Sequence, residues 1–319
     1  MMKYFTFRFL SIIPMLLLVT VIIFAGLQLT PGDPLSYMIP PELLSSSQFD
    51  IEGYKKAMGL DAPVYVQFYK WFGDLATGEL GYSLVDGTSI AKMIGNRLPA
   101  TFELAVAALI ISSVLGIVLG LLSSIRQNSM LDYGNTTFGI LGISIPEFFV
   151  GIIAIQIFAI KLGWLPVSGR IGYGDVTFFD RIEYMIMPAL VLGIALTAAL
   201  MRYTRGTMLD VLNKDYVKTA RSKGIPEYKV IIKHAFRNAL MPVVLLLVFR
   251  LPMLIGGTVI IESVFGWPGM GGMILNAVSA KDYPVVMIST MLVAFMVLFA
   301  SFLVDLITAM LDPRVRFES

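Results

Sequence analysis

The sequence contains no cysteine and one histidine, and only 14% of its 319 residues are charged. Without cysteine there is no disulfide framework and no thiolate metal site, and His234 alone cannot assemble a histidine-based metal cluster. No Gly-x4-Gly-Lys-[Ser/Thr] loop, His-Glu-x-x-His or Gly-x-Ser-x-Gly occurs. That excludes a P-loop nucleotide site, a zincin centre and a nucleophile elbow. Ser112, Ser113 and Ser144 fall in apolar runs with no histidine base in any of them, against an intramembrane serine protease. The chain reads as a non-enzyme that binds no cofactor of its own. A net charge of +2 gives no ground for a nucleic-acid partner.

What is abundant is hydrophobicity, at 57% of residues. The fold class expected is all-α, a polytopic membrane protein with six transmembrane helices. The first apolar run, about Phe9–Leu29, follows Lys3 and Arg8. It is too long for a signal core and lacks an Ala-x-Ala exit, so it is read as an uncleaved span. Five more spans are placed at Thr101–Ser124, Thr136–Ile160, Met185–Met201, Ala239–Ile261 and Pro284–Leu311. The chain thus divides into 1–29 (terminus and first span), 30–99 (a large extracytoplasmic segment) and 100–319 (a five-span core). That core includes a cytoplasmic loop at 202–239. In the extracytoplasmic segment Pro31-Gly32-Asp33-Pro34 marks a turn, Asp50–Leu60 and Tyr65–Leu75 suit short helices, and Gly78–Ser83 reads as a turn.

Lys and Arg set the orientation. Nine cations crowd 202–237, whereas the longer 30–99 holds five: Lys55, Lys56, Lys70, Lys92 and Arg97. The positive-inside rule puts both termini and the 202–239 loop in the cytoplasm. Within that loop one helix is expected to start at Asp215 as N-cap and stop at Gly224. A second opens with Pro226 and Glu227. Lys229, Lys233 and Arg237 then share one face, and Ile231, Ile232, Ala235, Phe236 and Ala239 cover the other. Such a pair forms a charged knob beneath the spans. A solvated basic loop that only fixes topology is the plainer alternative.

The order of residues decides between them. Tyr216-Val217-Lys218-Thr219-Ala220-Arg221-Ser222-Lys223-Gly224, then His234–Pro242, resembles the cytoplasmic loop of ABC importer permeases, of the dipeptide/oligopeptide/nickel branch. The wider family has Glu-Ala-Ala, three residues, Gly, nine residues and Ile-x-Leu-Pro. This chain keeps Ala220 and Gly224, but has Lys218 and Thr219 at the first two positions and His234–Arg237 in place of the last motif. These departures are similar to the peptide branch. So are Pro31–Pro34, Gly59–Pro63, Gly78–Ser83, Arg97–Thr101, Glu262–Gly272, Asp282–Pro284, and Asp305 with Leu311–Arg316.

The resemblance implies half of a translocation pathway, worked by alternating access in a bacterial or archaeal plasma membrane. The implied partners are a second permease, two cytoplasmic ATP-binding subunits that hold the ATP and Mg, and an extracytoplasmic binding protein. Peptides are the implied cargo; nickel chelates, glutathione and oligosaccharides are carried by similar machinery. The implied docking loop comprises Asp215, Tyr216, Lys218, Ala220, Arg221, Lys223, Gly224, Glu227, Lys229, Lys233 and Arg237. An ion-gradient-driven transporter is the rival from another class.

Two charges fall inside apolar runs, Glu147 and Arg250. Each costs about 2.5–3.5 kcal/mol at the bilayer centre on insertion scales, so each needs a hydrated cavity or a partner. They are candidates for lining the pathway, or for a structural ion pair with each other or with the partner permease. Glu103 and Asp305, near span ends, are read as solvated at the interface.

Overall fold

The structure, a computed structural model, describes residues 2–29, 61–170 and 178–311. The expected turn at 31–34, the helix at 50–60 and the basic segment at 314–316 lie outside them.

Helix α1 (Met2–Gln28) carries the first apolar run, and α2 (Val64–Ala76) is the short helix expected at Tyr65–Leu75. Next come α3 (Ile90–Ile125), α4 (Met130–Ser144) and α5 (Glu147–Ala154), the last extended by a π-helical stretch, Ile155–Lys161. Helix α6 (Phe178–Leu212) leads into α7 (Asp215–Ser222). A single turn, α8 (Glu227–Lys229), continues through a second π-helical stretch, Val230–Phe236, into α9 (Arg237–Gly257). Then follow α10 (Val259–Val264), α11 (Met270–Ser279) and α12 (Tyr283–Leu311). Among the described residues the only β pairing is an isolated bridge, Tyr82 to Ser89.

The bundle is built on the seam between α3 and α6. Helix α3 buries Leu104, Ala108, Ser112, Gly116 and Gly120, one residue every fourth, so one face is narrow enough for close approach. A Cβ on Gly116 would come within 2.8 Å of Leu200, and one on Gly120 within 2.6 Å of the Met201 carbonyl. At the other end a Cβ on Gly193 would meet Ile111 at 2.7 Å. The contacts advance in the same direction on both helices, so α3 and α6 run parallel.

Parallel helices oblige the chain between them to return across the membrane. It does so through α4 and α5, which meet at 99°. Ile145 is extended (φ −92, ψ 123), as the residue before Pro146 is obliged to be, and the helix restarts at Glu147. The two halves reach opposite ends of the bundle. Asn135 of α4 donates to Ser123 near the end of α3 (2.9 Å), while Gly151 of α5 packs on Phe265. Phe265 belongs to the cluster around Ala100 and Trp267 at the start of that helix.

The third span is therefore crossed by a broken helix and not by one straight rod over Thr136–Ile160. Five described helices are long and apolar enough to cross alone, and the bent pair makes six spans.

Other boundaries shift too. The second span starts at Ile90, so the division at 99/100 falls inside a helix that runs through Pro99. The fourth occupies Phe178–Leu212, well beyond Met185–Met201. Loop 262–272 contains two helix ends, and α11, absent from the sequence reading, packs Met270, Met273 and Ala277 on Ile90, Ile94 and Val285.

Candidate functional site

At one end of the bundle α6 runs on past its apolar part into a compact knob, residues 213–237. Its helix α7 has Lys214, not Asp215, at the N-cap position; Asp215 is the first helical residue and pairs with Lys218 at 3.1 Å. The helix stops at Lys223, and Gly224 turns the chain with φ +72, a left-handed conformation that glycine adopts without a Cβ penalty. Pro226 is the N-cap of α8 and Glu227 its first residue, so the helix begins one residue later than expected.

The second knob helix does not end before the membrane. Glu227 to Gly257 is continuous, so the knob is rigidly joined to the fifth span. The π-helical stretch Val230–Phe236 re-phases its faces. Val230, Ala235 and Ala239 are buried, whereas Ile232, assigned to the apolar face by a 3.6-residue period, stands 59% exposed. Val217, Ala220 and Val230 form a small core walled by Val211, Leu212 and Ile225. Ala220 thus supports the knob from within.

Asp215, Tyr216, Lys218, Arg221, Lys223, Gly224, Glu227, Lys229, Lys233 and Arg237 are exposed together on the surface. Across the Gly224 turn, Arg221 donates Nη2 to Glu227 Oε1 at 2.7 Å and Nε to both carboxylate oxygens at 3.2 Å. That bonding holds the Glu227 carboxyl below its ordinary range. Sequence reasoning missed this bridge and the core residues Val217 and Val230. It also missed Tyr228 and the exposure of Ile232, which add apolar surface beside the cations.

Close to the knob, Asp132 at the start of α4 receives Nε and Nη2 of Arg205 on α6, both at 2.7 Å, and the Asn128 amide at 3.0 Å. Ser129 caps α4 through the Asp132 amide. The broken span is thereby clamped to the helix that carries the knob. At the far end Arg170 grips Glu103 with two bonds, 2.6 and 2.9 Å. Asp305 pairs with Arg8 at 3.2 Å. Glu103 and Asp305 are thus ion-paired while their side chains stay 39% and 25% exposed, so each has an arginine partner in addition to solvent. Arginine partners 67 and 297 positions away leave no local signature in a sequence.

Glu147 and Arg250 do not pair with each other, nor with any other described charge. Arg250 donates Nη1 to the Leu196 carbonyl of α6 at 3.0 Å. Glu147 opens α5 at the 99° break, where its carboxylate suits the helix N-terminus. Both are half-buried.

The far end holds a site that the sequence marked only as a turn with an acid. Glu262 is 1% exposed. Its Oε1 accepts from the Thr101 and Thr258 hydroxyls (2.7 and 3.0 Å), and Oε2 from the Gly271 and Gly272 amides (2.8 and 3.2 Å). Thr101 in turn accepts from the Met270 amide, and Trp267 Nε1 donates to Ala100 O at 2.7 Å. One carboxylate thus caps α11 and fastens it to α3. Nearby, the Ser83 hydroxyl and Leu84 amide donate to Asp282, tying the 82–89 turn to the start of α12. Among the described residues no group of three metal-ligating side chains gathers.

This is the architecture of a membrane permease. A family model described as the binding-protein-dependent transport system inner membrane component matches residues 112–317, and its N-terminal counterpart matches 1–105. The chain belongs to that family and is a multi-pass permease subunit of the ABC importer class. It is 40% identical to the oligopeptide transport system permease protein AppB of Bacillus subtilis (strain 168), over 99% of this chain and 100% of that one. It is 36% identical to the di/tripeptide transport system permease protein DppB of Pseudomonas aeruginosa (strain UCBPP-PA14), with both chains fully covered. It is 34% identical to the glutathione transport system permease protein GsiC of Escherichia coli (strain K12), again over the whole of both. A solved amino acid ABC transporter shares the fold, with a TM-score of 0.54 at 15% identity over 68% of this chain and 93% of that one.

Proposed function

We propose that the chain forms half of the pathway of an ATP-driven importer of di- and oligopeptides and is moved by ATPase subunits docked on the 213–237 knob. The knob lies in the cytoplasm with both termini, and the Glu262 end faces outward toward a binding protein. A second permease completes the pathway. ATP and Mg reside in the two ATPase partners. ATP binding draws the ATPases together and carries the knobs with them, the pathway opens outward to receive peptide, and hydrolysis resets it. The membrane is the plasma membrane of a bacterium or archaeon.

One observation carries the docking role. The knob has its own core, an Arg221–Glu227 brace and a continuous helix into the fifth span, so force on its surface reaches α6 and α9 without a flexible joint. A loop that merely set topology would need none of these. Peptide cargo is supported by the full-length likeness to AppB and DppB. The likeness to GsiC favours glutathione as a second reading. Arg250 and Glu147 are assigned to the pathway, where a peptide's carboxylate and amine are the charges they would meet. Ligands bias such a two-state cycle only by their differential affinity for its states.

The test is charge reversal at Lys229, Lys233 and Arg237, with Gly224→Asp as a separate variant. No atom lies within 4 Å of a Cβ at Gly224, but the left-handed backbone strains any side chain there, aspartate less than most, so folding of that variant is checked by a thermal melt. Both should insert normally yet lose peptide uptake and co-purifying ATPase. Uptake and co-purification at wild-type levels would remove the docking role. Peptide flux in vesicles lacking any ATPase would favour the gradient-driven rival.

A further inference from the structure

Asp132 is 2% exposed at the start of α4, and the arginine it meets keeps some solvent. Its carboxylate accepts two bonds from Arg205 at 2.7 Å and one from the Asn128 amide at 3.0 Å. Asn128 sits at φ +61, in the left-handed region, so the same carboxylate also fixes the turn between α3 and α4. Arg205 lies about two helical turns before Leu212, where α6 ends and the knob begins.

Little else holds α4 in register with α6. Tyr133, Phe138, Ile140, Leu141 and Ile143 are exposed. Toward α6 the helix presents glycine: a Cβ on Gly139 would come within 2.7 Å of Met201, and one on Gly142 within 3.5 Å of Ala198. Apolar contact of this kind is non-directional, so it resists separation more than sliding or rotation. The bond from Asn135 to Ser123 goes to α3, which does not enter the knob. Helix α5 is held elsewhere. Gly151 packs on Phe265, and Ala154 and the π-helical Ala159 join the far-end cluster with Ala100 and Trp267. Between the two halves residues 143–146 are all exposed, and backbone bonding stops at Ile145 and resumes at Phe149.

We propose that Asp132 and Arg205 are positioning residues of the transport cycle, a clamp that makes α4 follow the knob. Two parallel N–H bonds fix orientation as well as distance, which glycine packing cannot do. Displacement of the knob then carries α6 and α4 together while α5 stays with the far-end cluster, and the angle at Pro146 changes. Residues 144–147 absorb the change as a hinge between element ends. The inference rests on the reading of the knob as the ATPase dock, and it adds which part of the pathway wall the dock moves.

The experiment measures peptide uptake and ATP hydrolysis together, in proteoliposomes that hold the whole importer. Asp132→Asn and Arg205→Met each remove the bidentate pair and leave 213–237 untouched. In each, peptide imported per ATP should fall about 2- to 30-fold, the range over which residues along a coupling route act, while the ATPases still co-purify. The double variant should be no worse than either single one, because the two residues act as a unit. Arg8→Met breaks an arginine–aspartate pair between α1 and α12 and should keep the wild-type ratio, so lost stability alone does not move the readout. A thermal melt establishes which variants are folded. An unchanged ratio in a folded clamp variant overturns the proposal, as does an equal loss in Arg8→Met or the loss of co-purifying ATPase. A wild-type importer that moves no peptide with ATP strikes the docking reading itself. Should both clamp variants misfold, hydrogen exchange on the wild-type importer decides: trapping the ATP-bound state should change exchange at 147–149 and spare 151–154, and no change at the break overturns the clamp.

Discussion

Removing the Glu262 carboxylate gives the sharpest test of how the far end is held. In Glu262→Ala the two threonine hydroxyls can rotate to new acceptors, but the Gly271 and Gly272 amides at the buried start of α11 cannot. One buried and one part-buried donor left without a partner, at about 1–3 kcal/mol each, put the loss near 4 kcal/mol. For a chain of this length that lowers the melting midpoint by roughly 8 °C, at about 2 °C per kcal/mol. Glu262→Gln should cost far less, about 1–2 kcal/mol, because the amide can flip. Its oxygen then takes both glycine amides and its NH2 donates to the hydroxyls. Gly269→Ala belongs with the severe class, since a Cβ there would lie 2.2 Å from the Glu262 carboxylate. The assay is thermal unfolding in nanodiscs at a fixed scan rate, with proteolysis of 259–279 as a local readout. An alanine variant within 1–2 °C of wild type would refute the capping role. So would a glutamine variant as unstable as the alanine one.

Three further outcomes are expected. Gly120→Leu drives a side chain into the Met201 carbonyl and Thr204, so the α3–α6 seam should open, and the variant should insert but melt well below wild type in the same assay. Asp132→Ala leaves Arg205 without its partner; a buried pair so broken costs about 3–5 kcal/mol, less here because Arg205 keeps some solvent, and Asp132→Ala/Arg205→Ala should recover part of that loss in a double-mutant cycle. In the knob, the folded carboxyl of Glu227 is depressed, so its contribution is full above the unfolded value of about 4.3 and disappears as pH falls through the folded one. Both partners are about half exposed, which limits the effect to about 0.2–1 kcal/mol, and Glu227→Gln should flatten the rise in protease cleavage at 221–227 between pH 6 and pH 3.

Composition and local order were enough for the class of protein. Long apolar runs announce spans because nothing else satisfies a backbone in hydrocarbon, and a dense cluster of cations marks one loop among several. Gly224, Pro226 and Glu227 punctuate the knob by rules that act over three or four residues, which is why its two helices were legible to within a residue. The π-helical stretch at 230–236 was not. It accompanies the burial of Val230 against α7 and of Ala235 against α6, two packing demands that the local pattern of residues does not display. The break at Pro146 was legible as a proline, but its 99° angle was not. Only the parallel run of α3 and α6 requires the chain to return between them.

Pairings across the bundle depended wholly on the tertiary structure. Glu103 with Arg170, Asp132 with Arg205, and Thr101 with Glu262 are separated by 67, 73 and 161 positions. A charged residue near a span end looks the same in sequence whether water or an arginine satisfies it. The packed fold alone determines which partner lies within 3 Å, and at buried Asp132 and Glu262 it also removes the water that would otherwise serve.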